Sequence, residues 1–138
     1  ASVRQIMKVA ELYLELPNRR MLAYAFSGSP APEAVKADIN HFVNRGVGAM
    51  QRLCQFSPWI AGAEFTLADI YVHYVNAVAG WICLEHLDRD LLAEIEGMKD
   101  WTRSMKSSDI AQSVDADRTA NMPEFQAYIQ DFMSGQKK

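Results

Sequence analysis

Three polar side chains, Asp69, His73 and Asn76, are spaced four and then three residues apart in an otherwise apolar segment. This spacing places them on one face of a helix. An Asp–His pair can perform general acid–base chemistry or bind a metal ion. We interpret the three as core residues, because no nucleophilic Ser or Cys is tied to His73 by sequence. His41 and His86 are isolated and complete no metal-ligand set.

Composition narrows the possible functions further. The 138 residues carry a formal net charge of −3, so nucleic-acid binding is not expected. Cys54 and Cys83 have no CxxC or Cys/His spacing, and we interpret both as small buried hydrophobic residues without a metal. Glu94 and Glu96 are too scattered to act as paired carboxylates. No apolar segment reaches the ~18 residues of a membrane span, so a reducing, cytoplasmic setting is predicted.

The strongest local signal is the start of the segment that carries Asp69. Thr66 and Asp69 are three residues apart, as in a capping box, with Asp in place of the usual Glu. Thr66 and Asp69 are therefore predicted as a structural N-cap, in which each side chain satisfies a backbone N–H. Phe65 and Ile70 flank the box at the two positions of a hydrophobic staple. A mostly buried helix is predicted from Thr66 to about Gly80, with Trp81 and Leu84 as a possible extension.

Two long helices are predicted before it. Apolar residues at helical spacing indicate one helix from Val3 towards Phe26, which Pro17 should kink. A second helix begins near Pro32. Gly46 and Gly48 within this second helix indicate close packing against a neighbour.

Shorter helices are predicted after it. Asp88 is a candidate N-cap of a helix that bears Trp101. Ser107 or Ser108 could cap the short helix that follows. The segment Asn121-Met122-Pro123-Glu124 is typical of another capping box with Pro in the first turn. No segment alternates convincingly as a strand does. The sequence therefore predicts one all-α domain over residues 1–138, a helical bundle of five to seven helices.

The segment GAEFTLADI, from Gly62 to Ile70, resembles the start of a buried helix in the C-terminal domain of bacterial cytosolic glutathione transferases. LYLELPNRR resembles the first helix of that domain, and IEGMKDWTRSMKSSDIAQSV resembles its Trp-bearing helix and the following turn. The resemblance covers the chain from Val3 to about Ser134. Asp109 departs from it, because many relatives carry Pro there.

This resemblance implies the helical half of an enzyme. In the family, an N-terminal thioredoxin-like domain binds glutathione and stabilises its thiolate, and that domain is absent from the chain. The helical half lines the site of the hydrophobic electrophile and contributes to a homodimer. Glutathione is then the co-substrate of the intact protein. The isolated chain binds no cofactor and is expected to be inactive. Because Ala1 is not Met, we expect that something once preceded it.

The same resemblance suggests three substrate-binding residues from the middle and end of the first helix. Tyr13 and Tyr24 would form the cleft wall, and Arg20 would contact an anion. The alternative interpretation is that Tyr13 and Tyr24 are core residues with a hydrogen-bonded tip and Arg20 is a surface cation. No residue of this chain is predicted to be catalytic.

Two other functions fit the same fold. The first is a non-catalytic protein-interaction module, since this helical domain is reused in scaffolds such as the gamma subunit of translation elongation factor one. The second is a free-standing helical domain with a ligand cleft.

Overall fold

The fold was analysed in a computed structural model that describes residues 2–135. The expectation of a preceding segment depends on Ala1, which lies outside the described residues. The chain forms two compact units, Ala1–Arg103 and Ser104–Lys138. Among the described residues there is no strand, and a single isolated β-bridge joins Trp59 and Gly62. The predicted all-α fold is therefore confirmed.

The first unit begins with a continuous helical rod. It consists of α1 (Val3–Val9), a π-helical segment (Ala10–Glu15) and α2 (Leu16–Arg19). Pro17 is the second residue of α2 and has no N–H to donate within the rod. The Leu16 N–H donates to the Glu11 carbonyl, five residues back. The helix thus widens before Pro17, which is where we predicted a kink.

The rod ends earlier than predicted. A turn at Arg20 and Met21 separates it from α3 (Leu22–Ser27). The Arg20 N–H donates to the Pro17 carbonyl at 3.2 Å and the Met21 N–H to the Asn18 carbonyl at 2.9 Å. These bonds span three residues instead of four, so this turn is tighter than an α-helical turn. The prediction of one helix as far as Phe26 is wrong in this respect.

Helix α4 (Glu33–Leu53) packs against the rod at Gly46. A Cβ atom at this position would lie 2.7 Å from Leu14 Cδ2 and 2.9 Å from Tyr13 Cβ. Gly46 therefore permits the close packing that was predicted. Gly48 does not serve the same purpose, because a Cβ there would meet only the Arg52 guanidinium, at 3.6 Å.

Helix α5 (Leu67–His86) starts at the predicted N-cap, Thr66, and continues six residues past Gly80. Its inner face packs against α1, the π segment and α2, and carries the fully buried residues Val72, Ala79, Ile82 and Cys83. Contrary to our expectation, α5 has the length and composition of a membrane-crossing helix. Half of its apolar stretch is buried inside the fold, as in the core helix of a globular protein.

After α5 the structure corrects the predicted cap. Asp88 has a positive φ of 54° and does not cap a helix. Asp90 does, since its carboxylate accepts the N–H groups of Leu92 at 3.1 Å and Ala93 at 3.2 Å at the start of α6 (Leu91–Glu94). Gly97, at φ 83°, then separates α6 from α7 (Met98–Lys106).

The second unit consists of the end of α7 and one long helix, α8 (Asp109–Gly135). Of the two predicted caps of this helix, Ser108 is confirmed, because Ser108 Oγ accepts the Ala111 N–H at 3.3 Å. The predicted capping box at Asn121 is wrong for this structure, since α8 continues through Pro123.

Candidate functional site

The Asp69 carboxylate lies in the first unit and is fully inaccessible to solvent. Its Oδ2 atom accepts the Thr66 N–H at 2.8 Å and the Thr66 hydroxyl at 3.2 Å. Thr66 Oγ1 in turn accepts the Ala68 N–H at 3.2 Å. Both hydrogen bonds of the capping box are therefore present. Of the flanking pair, Phe65 packs edge-on against Trp59, and the staple with Ile70 stays a prediction.

The other carboxylate oxygen of Asp69 joins two further elements. Oδ1 accepts the Ile60 N–H at 2.8 Å and the Trp101 indole N–H at 3.0 Å. A buried carboxylate needs such donors to replace the water it has lost. Asp69 thus holds the loop before α5 and helix α7 in place, a role that leaves no oxygen facing an open site.

His73 and Asn76 continue this buried face. The His73 ring lies edge-on to the rings of Tyr74, at 4.9 Å, and Trp101, at 6.4 Å. The Asn76 amide donates to Met98 Sδ at 3.2 Å. Among residues 2–135, no three His, Cys, Asp or Glu side chains are placed to hold a metal ion.

The two cysteines lie in apolar surroundings within the described fold. Burial raises the pKa of Cys54 to about 12 and that of Cys83 to about 11. The Cys83 thiol, which has no solvent exposure, lies 3.6 Å from Asn18 Oδ1. Because the thiolate is the nucleophilic form, neither cysteine is prepared for nucleophilic chemistry at neutral pH.

Of the three residues predicted to bind substrate, Tyr13 has the most developed surroundings. It lies in the π segment and is half-buried. Its ring centroid is 6.4 Å from that of Phe42, and the Arg45 guanidinium lies 5.3 Å over the ring. Such a cation over a tyrosine ring is attracted by the negative face of the ring. The Tyr13 side chain is thereby oriented from α4.

Arg20 and Tyr24 lie outside the group formed by Tyr13, Phe42 and Arg45. Arg20 lies in the turn after α2 and forms an exposed ion pair with Asp38 of α4. Tyr24 is a half-buried residue of α3. The structure thus brings Tyr13 and Arg20 to the same helix, α4, through partners that sequence analysis missed. These partners, Asp38, Phe42 and Arg45, are spaced four and three residues apart, which places them on one face of α4. The spacing does not indicate which residues of the rod they contact.

A polar group that the sequence did not suggest connects the rod to α5. The Tyr71 hydroxyl donates to Glu15 Oε2 at 3.3 Å, while Glu15 Oε1 accepts from Arg19 at 2.6 and 2.9 Å. Burial and the neighbouring Glu15 carboxylate raise the pKa of Tyr71. Leu12 and Leu16, which precede and follow Glu15 in the rod, are half exposed.

A cavity of about 500 Å³ lies elsewhere, between the start of α4 and the end of α5. Its lining is polar and of mixed charge, with Glu33, Lys36, Asn40, His86 and Asp88. It includes none of the three predicted substrate-binding residues.

Comparison with known proteins gives one informative similarity. The chain is 30% identical over 129 residues to a glutathione S-transferase of Pseudomonas putida. The aligned region covers 94% of this chain but 59% of that relative, so the chain spans about three fifths of the relative's length. No protein-family model matches the chain. Nearly the whole of this chain is thus similar to part of a glutathione S-transferase.

Proposed function

We propose that this chain is the C-terminal helical domain of a cytoplasmic glutathione transferase-like protein. In the intact protein it lines the site of a hydrophobic electrophile and contributes to the interface of a homodimer. The observation that carries the proposal is the 30% identity to a glutathione S-transferase that is longer than the aligned region. Conjugation of glutathione then requires a thioredoxin-like domain outside this sequence.

The exposed side of α5 supports the idea that another domain covers the helix. Ile70, Tyr74, Trp81 and Leu84 follow one another at helical spacing on this side and form what we call the α5 stripe. Ile70, Trp81 and Leu84 are 42%, 41% and 59% exposed. A continuous apolar surface of this kind is typical of an interaction site. The Tyr71–Glu15 hydrogen bond connects α5 to the rod, on which Leu12 and Leu16 are also half exposed.

The proposed substrate contacts follow from the surroundings of Tyr13 and Arg20. Tyr13 offers an aromatic face to an apolar electrophile, and Phe42 and Arg45 hold its ring. Arg20 would exchange its exposed partner, Asp38, for a carboxylate of glutathione, a change that costs little for a solvated ion pair. Tyr24 would complete the wall.

The chemistry of the reaction also indicates a second domain. The glutathione thiol must lose its proton to attack the electrophile, and the new carbon–sulfur bond forms as the electrophile releases its leaving group. Both cysteines of the described residues have raised pKa values, so neither supplies a thiolate that could assist this step. The helical half therefore binds and orients the electrophile, and the thiolate is stabilised by the other half.

The experiment compares the 138-residue chain with the complete product of the coding region that contains it. We expect the complete product to bind glutathione in a calorimetric titration and to conjugate it to an aryl halide, while the chain alone does neither. In the complete product, Tyr13→Ala should raise the KM for the aryl halide about tenfold, because an aromatic contact of ~1.4 kcal/mol is lost. Gln126→Ala, at an exposed position of α8, is the control. A complete product without glutathione affinity would contradict the proposal and would favour an interaction module.

A further inference from the structure

We infer that α8 is a hinged helix, which exchanges between the continuous form of this structure and a form bent at Asn121. The inference concerns unit Ser104–Lys138 alone and does not depend on the proposed function. It starts from Pro123, which lies in the interior of a helix that runs from Asp109 to Gly135.

Two backbone defects meet near this proline. Pro123 has no N–H, so the Thr119 carbonyl, four residues earlier, loses its normal helical donor. The proline ring also crowds that carbonyl. One turn earlier, the Thr119 hydroxyl donates to the Asp115 carbonyl at 2.8 Å, a bond that weakens and bends helices. The continuous form is therefore least stable between Asp115 and Pro123.

The same residues suit a helix start. With Asn121 as N-cap, Pro123 would lie in the first turn, where backbone N–H groups have no helical partner in any case. Glu124 would take the third position, from which its carboxylate can accept the Asn121 N–H. The penalty of the interior proline then disappears, and two capping bonds replace the lost helical bonds. Two arrangements are thus available to one segment.

Bending changes the direction of a distinct half of the helix. Residues 122–135 carry Phe125, Tyr128 and Phe132, which are 41%, 63% and 52% exposed. Tyr128 and Phe132 stack with their ring centroids 6.5 Å apart, so this half presents a preformed aromatic surface. The hinge reorients this surface without unfolding either half.

The test is a distance measurement by double electron–electron resonance on the full chain. Spin labels are attached at Ser113→Cys and Asp131→Cys, two exposed positions of α8, after Cys54 and Cys83 are replaced by Ala. A continuous helix places these Cα atoms about 27 Å apart. We expect this distance together with a second, shorter one from the bent form.

Substitutions at the hinge distinguish the inference from general flexibility. Pro123→Ala should raise the ratio of continuous to bent form by more than about fiftyfold, and Asn121→Ala by about fivefold. Gln126→Ala, also exposed on α8, should change the ratio less than about twofold. Circular dichroism at 222 nm checks that all variants remain folded. A single distance near 27 Å in the unsubstituted helix would overturn the inference, as would a shorter distance that both hinge substitutions leave unchanged.

Discussion

The indole N–H of Trp101 donates to the fully buried carboxylate of Asp69 across 3.0 Å. The two residues are 32 positions apart in the chain, on α7 and α5. Asp69 is therefore more than a helix cap, because one carboxylate connects two helices and the loop that contains Ile60.

This hydrogen bond should contribute measurably to stability. Trp101→Phe should lower the free energy of unfolding by about 2 kcal/mol, since a hydrogen bond to a charged acceptor is lost. Urea unfolding followed by circular dichroism measures this change. Because the smaller ring also loses packing, the same substitution is repeated in the Asp69→Ala background, where its cost should fall. Trp81→Phe, on exposed α5 surface, is the control, and an equal effect of the two tryptophan substitutions would refute the prediction.

The capping box predicts coupling between its two members. Thr66→Ala should lower the free energy of unfolding by ~1 kcal/mol. Asp69→Ala should lower it by about 3 kcal/mol or more, because this substitution also leaves the Ile60 and Trp101 N–H donors buried without an acceptor. The double substitution should cost less than the sum, since the two residues share one cap. Chemical unfolding of the four variants measures the coupling, with exposed Glu64→Ala as control. Strict additivity would argue against a reciprocal cap.

The two central glycines of α4 should respond in opposite directions to the same substitution. Gly46→Ala should destabilise by about 1–3 kcal/mol, because the added methyl would lie 2.7 Å from Leu14 Cδ2. Gly48→Ala should stabilise by up to ~1 kcal/mol, because alanine favours the helix and meets no close neighbour. Thermal unfolding of both variants is the measurement. Equal shifts in Tm would show that the rod and α4 are not in close contact.

Two aspartates around the start of α6 provide a second matched pair. Asp90→Ala should cost ~1 kcal/mol, because two N–H groups lose their capping carboxylate. Asp88→Gly should be neutral or stabilising by up to ~1 kcal/mol, since glycine adopts a φ of 54° without strain. Urea unfolding measures both effects. A larger loss for Asp88→Gly than for Asp90→Ala would restore Asp88 as the cap.

The raised thiol pKa values of the two cysteines predict how the stability of the fold depends on pH above neutrality. An unfolded thiol loses its proton near its ordinary pKa of 9.0, whereas the folded values are raised to about 12 for Cys54 and about 11 for Cys83. The folded state therefore binds more protons above pH 9, and its stability falls as the pH rises from there towards 11. The contribution of the two thiols is fully present below pH 9.

Replacing both cysteines tests this dependence. The variant Cys54→Ala/Cys83→Ala should lose less unfolding free energy than the unsubstituted chain between pH 8 and pH 10.5, as measured by urea unfolding at each pH. Other titrating groups are common to both proteins and cancel in the comparison. Parallel curves for the two proteins would mean that the thiols titrate alike in the folded and unfolded states.

The parts of this fold that depend on local chemistry were predictable from the sequence. The Thr66–Asp69 cap and the start of α4 at Pro32 depend on residues within a few positions. The close approach at Gly46 was indicated as well, because glycine in a helix usually has a packing reason. The contacts of Asp69 with Ile60 and Trp101 were missed, because they depend on how distant segments pack.

Competing local signals explain the other differences. Asp88 and Asp90 are both acceptable caps, and the positive φ that decides between them is set by the turn after α5. For the candidate site, the sequence suggested Tyr13, Arg20 and Tyr24 through a family resemblance alone. It did not reveal that Arg20 pairs with Asp38, because an ion pair between two helices follows from their packing and not from spacing along either one.

The π segment from Ala10 to Glu15 affects every residue count along the first helices. Each of its turns encloses one residue more than an α-helical turn, so a helical wheel drawn through it rotates later side chains away from their true faces. Alignment of this rod with a regular helix consequently requires a one-residue gap near Tyr13. Equivalent positions beyond Pro17 should be assigned in three dimensions, with Gly46 as the fixed point across the helix pair.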